Sequence, residues 1–453
     1  MELYLVMAFK TNKLSLLNIV IVIFIISYLP NFLAASEEEI PTQILSYRIY
    51  GLDNEEAPPI LLMEGVPNQV QANIGFKYLT FEFDIYADVP PSVYAEFVHC
   101  DINWNEDANN FINNSGFMRT SDFEWETSLS SASNYTHRGK LEFPNAQVKF
   151  KFSGNYKIKI FEYYGDGEPI VEDRFFVVES ISEMQMYFNS TFYNPDYQIT
   201  NSAYNIEVNL QTEARIFNAN LNNMVIYRNH RWSEPFVINE LRYNDYQKIH
   251  KYEFPTMITG FSNSEKRFVI YEIPAENVYR VLDMSNTAQY PKGDYLVRMP
   301  FSDYIRNGNY FDYDNDGAMI TRYISPYEDE YVYLEFVLDP AGVKSKEDVF
   351  VSGSFNNWNP NSYWLMHWDA DSRTYRLQQW VRRARHNYLY GTGNLNIDTD
   401  KFENISFDLY EGNTVYSNHT MIAFAYYRNM ENGGYDAIIG VVTGTPLESN
   451  WNR

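Results

Sequence analysis

An all-β fold built from tandem immunoglobulin-like β-sandwich domains is predicted from three features of the chain. Aromatic residues make up 17% of the 453 residues, with 39 Tyr and 31 Phe. Flat rings and β-branched side chains suit a pleated, half-buried surface, so this enrichment favours strands. Short runs alternate polar and apolar residues, as in Thr80-Phe-Glu-Phe-Asp-Ile-Tyr86 and Tyr156-Lys-Ile-Lys-Ile160, the period-two signature of a strand. Turn residues punctuate these runs at short intervals, and no amphipathic helix of convincing length interrupts them.

The chain opens with targeting grammar. Lys10 and Lys13 precede a nearly continuous apolar run from Leu14 to Leu29, and small residues Ala34-Ala35-Ser36 follow. This is the pattern of a secretory signal peptide over residues 1–35. The run is short for a membrane span of roughly 20 apolar residues, which disfavours the alternative of an uncleaved anchor. No Cys stands near the cleavage point, so a lipid-modified N-terminus is not expected.

Three β units are expected after the signal. The first, 36–180, contains Thr80–Tyr86, Val148-Lys-Phe-Lys-Phe152, Tyr156–Ile160 and Arg174-Phe-Phe-Val-Val178, with Ser153-Gly-Asn155 read as a hairpin connection. The second, 181–326, contains Ala203–Leu210, Asn223–Tyr227 and Tyr295–Arg298. The third, 327–445, begins with Tyr331-Val-Tyr-Leu-Glu-Phe-Val-Leu338, and residues 446–453 form a tail.

Composition narrows the function. A net charge of −24 repels phosphate backbones and anionic membrane surfaces. Nucleic acid is therefore not an expected partner. The single cysteine, Cys100, allows no internal disulfide. Its thiol is read as a buried small hydrophobe at a strand end rather than a nucleophile. His99 beside it points to the opposite face of a strand, so the two should not form a nucleophile–base pair. The seven histidines are scattered with no His-x-His or His-Glu-x-x-His spacing, and no zinc site is legible. Asp312-Tyr-Asp-Asn-Asp-Gly317 matches the first half of a calcium loop, but Tyr323 stands where a bidentate Glu belongs. A solvated turn is the expected reading there. No catalytic residue, metal or cofactor is assigned, and the protein is read as non-enzymatic.

Two further motifs admit two readings each. Val349-Phe-Val-Ser-Gly-Ser-Phe-Asn-Asn-Trp358 resembles the opening of glycogen- and starch-binding immunoglobulin-like modules. Trp358, Trp364 and Trp368 would then offer flat faces to sugar rings, or Trp358 simply packs over the sandwich core. The second is favoured, since fold analogy does not carry function. Arg382-Arg-Ala-Arg385 is either a strand face for an acidic partner or a solvated edge strand guarded by charge, and the edge is favoured.

One set of blocks is more specific. Tyr94-Ala-Glu-Phe-Val-His-Cys-Asp-Ile-Asn-Trp104, Phe143-Pro-Asn145 and Ser153-Gly-Asn-Tyr156 occur in order. Toward the C-terminus come Tyr410-Glu-Gly-Asn413, Ala425-Tyr-Tyr-Arg428 and Tyr435-Asp-Ala-Ile-Ile-Gly440. Together they resemble the type IX secretion system plug protein family. The resemblance marks His99, Cys100, Asp101, Trp104, Phe143, Pro144, Asn145, Gly154, Asn155, Tyr156, Arg428 and Asp436 as family-motif residues, read here as structural. The sequence departs from the family at Glu276-Asn-Val-Tyr-Arg-Val-Leu-Asp283, which stands where a Gly-Asn-Glu-Phe-Arg…Phe-Asp block is usual, and after Asp436. The resemblance implies a periplasmic protein that binds the periplasmic opening of a very large outer-membrane β-barrel translocon and seals it by steric occlusion. Other type IX components are further possible partners. An exported carbohydrate-binding protein and a non-enzymatic envelope scaffold are the alternatives, and no partner-facing residue is assigned.

Overall fold

Among the described residues the strands pair into six sheets. The computed structural model describes residues 43–51, 54–63, 74–113, 118–129, 134–192, 202–212, 216, 218–239, 254–260, 265–306 and 316–446. The expected signal peptide, most of the Asp312–Gly317 loop and nearly all of the tail lie outside these residues.

The first sandwich uses β1 (Gln43–Gly51), β2 (Ile60–Leu62), β3 (Leu79–Tyr86), β4 (Val93–Cys100), β5 (Arg119–Thr120), β6 (Glu124–Thr127), β7 (His137–Phe143), β8 (Gly154–Glu162) and β9 (Val171–Val178). One sheet has the order β1-β3-β7-β6 and the other β2-β9-β8-β4-β5. Alternate residues of both, including Phe81, Phe83, Leu141, Phe97, Ile158 and Phe175, meet in the core between them. The expected strand over 148–152 is absent, and Gly154 and Asn155 belong to β8 rather than to a hairpin turn. Asn145 explains part of this: its side-chain oxygen accepts from Gln147 N (2.9 Å) and Val148 N (3.0 Å), which closes a local turn where a ladder would begin.

Further along run β10 (Ser182–Phe192), β11 (Ser202–Thr212), β12 (Asn223–Arg228), β13 (Phe236–Asn239), β14 (Thr256–Thr259) and β15 (Glu265–Pro274). Then come β16 (Arg280–Asp283), β17 (Gly293–Arg298), β18 (Asp303–Tyr304), β19 (Tyr331–Asp339), β20 (Asp348–Gly353), β21 (His367–Asp369), β22 (Thr374–Arg382), β23 (Arg385–Asn396) and β24 (Lys401–Ser406). The one-turn helix α1 (Asp408–Glu411) precedes β25 (Met421–Asn429) and β26 (Tyr435–Gly444).

Strand pairing crosses the expected sequential partition twice. Strands β25 and β26 return to the middle sandwich in the order β13-β12-β25-β26, opposite β10-β11-β15-β14. Strands β16, β17 and β18 leave the middle segment to pair with β23 and β19 of the third sandwich. The pairing has a physical reason: without β25, one edge of the buried strand β12 would carry unpaired backbone groups. The middle and third sandwiches are thus each made from separated stretches of chain.

Candidate functional site

Strands β9 and β25 are apolar on both faces, and they mark where two sandwiches meet. On β9, Phe175 and Val177 enter the first core while Phe176 and Val178 face outward. On β25, Met421, Ala423 and Ala425 enter the middle core while Ile422, Phe424 and Tyr426 face outward. The two outward sets meet: Phe176 stacks on Phe424 with centroids 4.1 Å apart, and Cys100, Trp104, Tyr227 and Ile438 complete a buried layer. Burial raises the Cys100 thiol to about 12, so it stays protonated and inert.

The family-motif blocks surround this first joint. His99, at the end of β4, sets Nδ1 2.5 Å from Asp107 and Nε2 3.0 Å from the Ser153 carbonyl, with its ring edge-on to Tyr156 and Tyr435. Gly154 adopts φ +145°, and a Cβ there would run into His99 and the Asp436 carbonyl. Asn155 donates to the Asp101 carbonyl (3.0 Å) and accepts from the Tyr426 hydroxyl (2.7 Å). Trp104 donates from Nε1 to the Tyr227 hydroxyl (3.1 Å). Asp436 accepts from Ile102 N (3.2 Å) and from Arg428 (3.0 Å). Backbone bonds from Glu179 N and Ile181 N to the carbonyls of Ile438 and Ile439 pin the connection between the two sandwiches. Phe143, Pro144 and Asn145 stand apart from the joint: Phe143 packs on Phe97 and Phe175 in the first core, and Asn145 holds the turn described above.

The second joint, between first and third sandwiches, is ionic. Arg382, buried on β22, donates to Glu82 (2.7 Å) and to both oxygens of Asp329 (3.2 and 3.1 Å). Arg138 grips Asp84 (2.6 and 2.9 Å) and Asp329 (2.5 Å). Arg48 joins Glu82 (3.0 Å), Glu55 (2.9 Å) and the Met319 carbonyl (3.0 Å). Burial works against ionisation here, yet Arg382 and Arg138 hold Asp329 at about 2. The solvated-edge reading of 382–385 is therefore overturned. Arg382 and Arg383 are buried, and the acidic partner that Arg382 meets lies within the same chain.

The third joint links middle and third sandwiches through the departing block at 276–283 and the Tyr410–Asn413 block. Glu276 pairs with Arg228 (2.6 Å) and with Arg231, which hold it at about 2 against the effect of burial. Asn277 donates to the Glu411 carbonyl (2.8 Å), and its own carbonyl meets His419 (2.9 Å). Burial, aided by nearby Arg228, lowers His419 to about 3, so the imidazole is neutral. Glu411 accepts from Arg280 (2.9 Å) and Arg306 (2.6 Å), and the Asn413 side chain accepts from Ser202 N (3.1 Å).

Trp358 belongs to this joint. It is 1% exposed, donates Nε1 to the Gly317 carbonyl (2.7 Å), and lies against Tyr279 at 4.5 Å. Trp364 stacks on Phe355 at 4.6 Å, and Trp368 packs against Tyr375, both beside a different cluster. A sugar platform that includes Trp358 is not present, because its faces are covered by protein.

A cleft of about 400 Å³ opens where the three sandwiches converge, walled by Tyr47, Asp173, Trp232, Ser233, Asn357 and Phe402 among others. Asp173 accepts from Arg174 N (2.8 Å), and burial lifts its carboxyl to about 7. Glu172, which lines the same cleft, is paired with Lys157 (3.0 Å). Glu55 in the same cleft is held by Arg48 and Thr321, and Glu234 by Arg231. Among the described residues no group of three His, Cys, Asp or Glu is arranged to hold a metal ion.

Residues 60–179 match the family model described as the type 9 secretion system plug protein 1st domain. The chain carries a plug-protein first domain. The matched segment runs from β2 to the end of β9 and ends at Glu179, one of the residues that pin the first joint. This plug domain ties the chain to type IX secretion and to the cell envelope where that system works. No curated protein matches the chain. Among solved structures, a hypothetical protein from Parabacteroides merdae is similar, with a TM-score of 0.69 at 20% identity, over 89% of this chain and 97% of that one. That likeness shows a shared fold across nearly the whole chain.

Sequence reasoning reads the motif residues as structural and misses that most of them build joints. The signal was available in Phe175-Phe-Val-Val178 and Met421-Ile-Ala-Phe-Ala-Tyr426, where apolar residues do not alternate. A strand of a free-standing sandwich shows water one face, so unbroken apolar runs mark strands covered on both.

Proposed function

We propose that this protein is a periplasmic plug, binding the periplasmic opening of the giant outer-membrane β-barrel translocon of the type IX secretion system and sealing its pore by steric occlusion. The match of residues 60–179 to the plug first domain carries the reading. The joints support it. An occluding body must resist deformation, and here the plug domain is fastened to the middle sandwich by an apolar layer and to the third by buried ion pairs. The mechanism is contact and exclusion with no bond chemistry, so the protein is read as non-catalytic. In this reading the protein is exported by its N-terminal signal to the periplasm and held to the outer membrane through contacts with the translocon and other type IX components.

An affinity pull-down of the tagged mature protein from native envelope extracts, with mass spectrometry, tests this. Recovery of a very large outer-membrane barrel at near-equal stoichiometry supports the plug. Retention on α-glucan resin with no barrel would instead favour sugar binding through surfaces other than Trp358.

A further inference from the structure

The plug domain has a bare aromatic tip at the end opposite its joint to the middle sandwich. Strand β4 starts at this tip with Val93 and ends at the joint with Cys100, a distance of roughly 25 Å at about 3.3 Å per residue. Two loops form the tip, 87–92 and 163–170, tied by a bond from Tyr163 N to the Ser92 carbonyl (2.9 Å). Tyr94 lies 5.3 Å from Phe161 and 5.1 Å from Tyr163, making a row of rings across the sheet. Beyond it Tyr164 is 95% exposed, Val89 69% and Tyr163 56%. Large apolar groups left in water at one place mark an interaction site more often than scattered ones do. Nothing in the folding of the plug domain requires Tyr164 to be aromatic, because almost all of its surface faces solvent.

Charge selects the occupant. Asp88, Asp166 and Glu168 are exposed around these rings, and no cationic side chain pairs with any of them among the described residues. The nearby Arg119 is already committed to Glu96 and lies over the Tyr94 ring. A second copy of this chain would bring carboxylates against carboxylates, and an anionic membrane surface would be repelled as well. The tip is also held in shape, since Asp166 accepts from Glu168 N (3.0 Å) and Gly165 N reaches the Glu162 carbonyl (3.3 Å). Such rigid aromatic anchors lose little entropy when they dock.

We infer that this tip, Val89, Tyr94, Tyr163 and Tyr164 within a ring of Asp88, Asp166 and Glu168, is the surface that docks on a protein rim presenting apolar pockets flanked by Lys and Arg. The inference rests on the plug reading, under which that rim belongs to the periplasmic opening of the translocon.

The test uses the mature full chain in four forms: wild type, Tyr163→Ser/Tyr164→Ser, Asp88→Lys/Asp166→Lys/Glu168→Lys, and a control that changes exposed aromatics elsewhere, Phe301→Ser/Tyr304→Ser. Circular dichroism and thermal melting verify folding, which these exposed positions should leave intact. Each form is used to capture the barrel from envelope extracts, and wild-type capture is repeated at raised salt. The expected result is at least a ten-fold loss for both tip variants, none for the control, and weaker wild-type capture at high salt. Wild-type capture with undiminished capture by the tip variants overturns the inference and leaves the plug reading standing. Absence of the barrel even with wild type overturns the plug reading and the inference with it. Sedimentation adds a separate check: a wild-type dimer dissolved by Tyr163→Ser/Tyr164→Ser would assign the tip to self-association and refute the inference.

Discussion

Replacing Arg382 by Met should loosen the plug domain from the third sandwich while leaving both folded. The second joint sets three guanidiniums, Arg48, Arg138 and Arg382, against four carboxylates, Glu55, Glu82, Asp84 and Asp329. Methionine fills much of the volume but removes one cation, and it leaves Glu82 and Asp329 with a single buried guanidinium each. Removing one partner of a buried pair typically costs about 3–5 kcal/mol, which for a protein of this size shifts a urea midpoint by about 1–2 M. The pH dependence is more diagnostic. Asp329 titrates at about 2 in the folded protein, below its ordinary value of about 3.9. A depressed carboxyl contributes stability that is present above pH ~4 and lost as pH falls through the folded value, here amounting to about 2–3 kcal/mol. The gap between wild type and Arg382→Met should therefore be widest at neutral pH and narrow toward pH 2–3. Urea titrations at pH 7, 4 and 3, followed by fluorescence, measure it. Arg382→Met/Glu82→Gln should recover part of the loss, because fewer buried charges are then left over. A cost below about 1 kcal/mol at pH 7, or a gap that does not shrink in acid, would refute the joint as described.

Three other substitutions probe the remaining structure. Asp173→Asn should stabilise the protein above pH 7: the Asp173 carboxyl titrates at about 7 in the fold, so its penalty is absent below pH ~4, grows between, and is full above. Allowing for water in the cleft, the gain is about 1–3 kcal/mol, and an equal change in melting temperature at pH 4 and pH 8 would contradict it. Gly154→Ala places a Cβ against His99 and the Asp436 carbonyl at φ +145°; a loss of about 2–4 kcal/mol is expected, with hydrogen exchange rising first around Ile438 and Ile439. Trp358→Phe removes the Nε1 bond to Gly317 and some ring volume, costing about 1–3 kcal/mol, while retention on α-glucan resin stays unchanged; weakened retention would return Trp358 to a sugar site.

The fold class was legible because strand grammar is local. Thr80–Tyr86, Ala203–Leu210 and Tyr331–Leu338 each alternate or run apolar between turn residues, and each lies within an observed strand. Pairing was not legible, because it depends on which sheet edge remains open. Nothing local in Met421–Asn429 says that it returns to Asn223–Arg228 rather than joining the strands just before it. Arg382 failed for a related reason. A charged residue on a strand is ordinarily solvated, and only the distant Glu82 and Asp329 make burial tolerable. The resemblance blocks were found, but what most of them share is contact across joints between segments hundreds of residues apart, as from Asn155 to Tyr426.

Those joints close a cycle, and the cycle matters more than any one of them. First meets middle through Phe176 and Phe424, first meets third through Arg382 and Glu82, and middle meets third through Glu276, Asn277 and Glu411. Two sandwiches on a single linker would be expected to hinge, since interfaces between domains of one chain resemble transient ones. Three sandwiches in mutual contact cannot hinge at one joint without straining or opening another. The chain path reinforces this, because β25 and β26 reach the middle sandwich only after the third has been completed. Pulling the middle and third sandwiches apart therefore loads both crossing segments. The two kinds of joint also fail under different conditions. The apolar layer weakens in the cold and in denaturant, while the ion pairs weaken in acid. At neutral pH and ordinary temperature, without denaturant, neither weakness applies, and a body held by both keeps one shape under load, the property that the proposed occluding role demands.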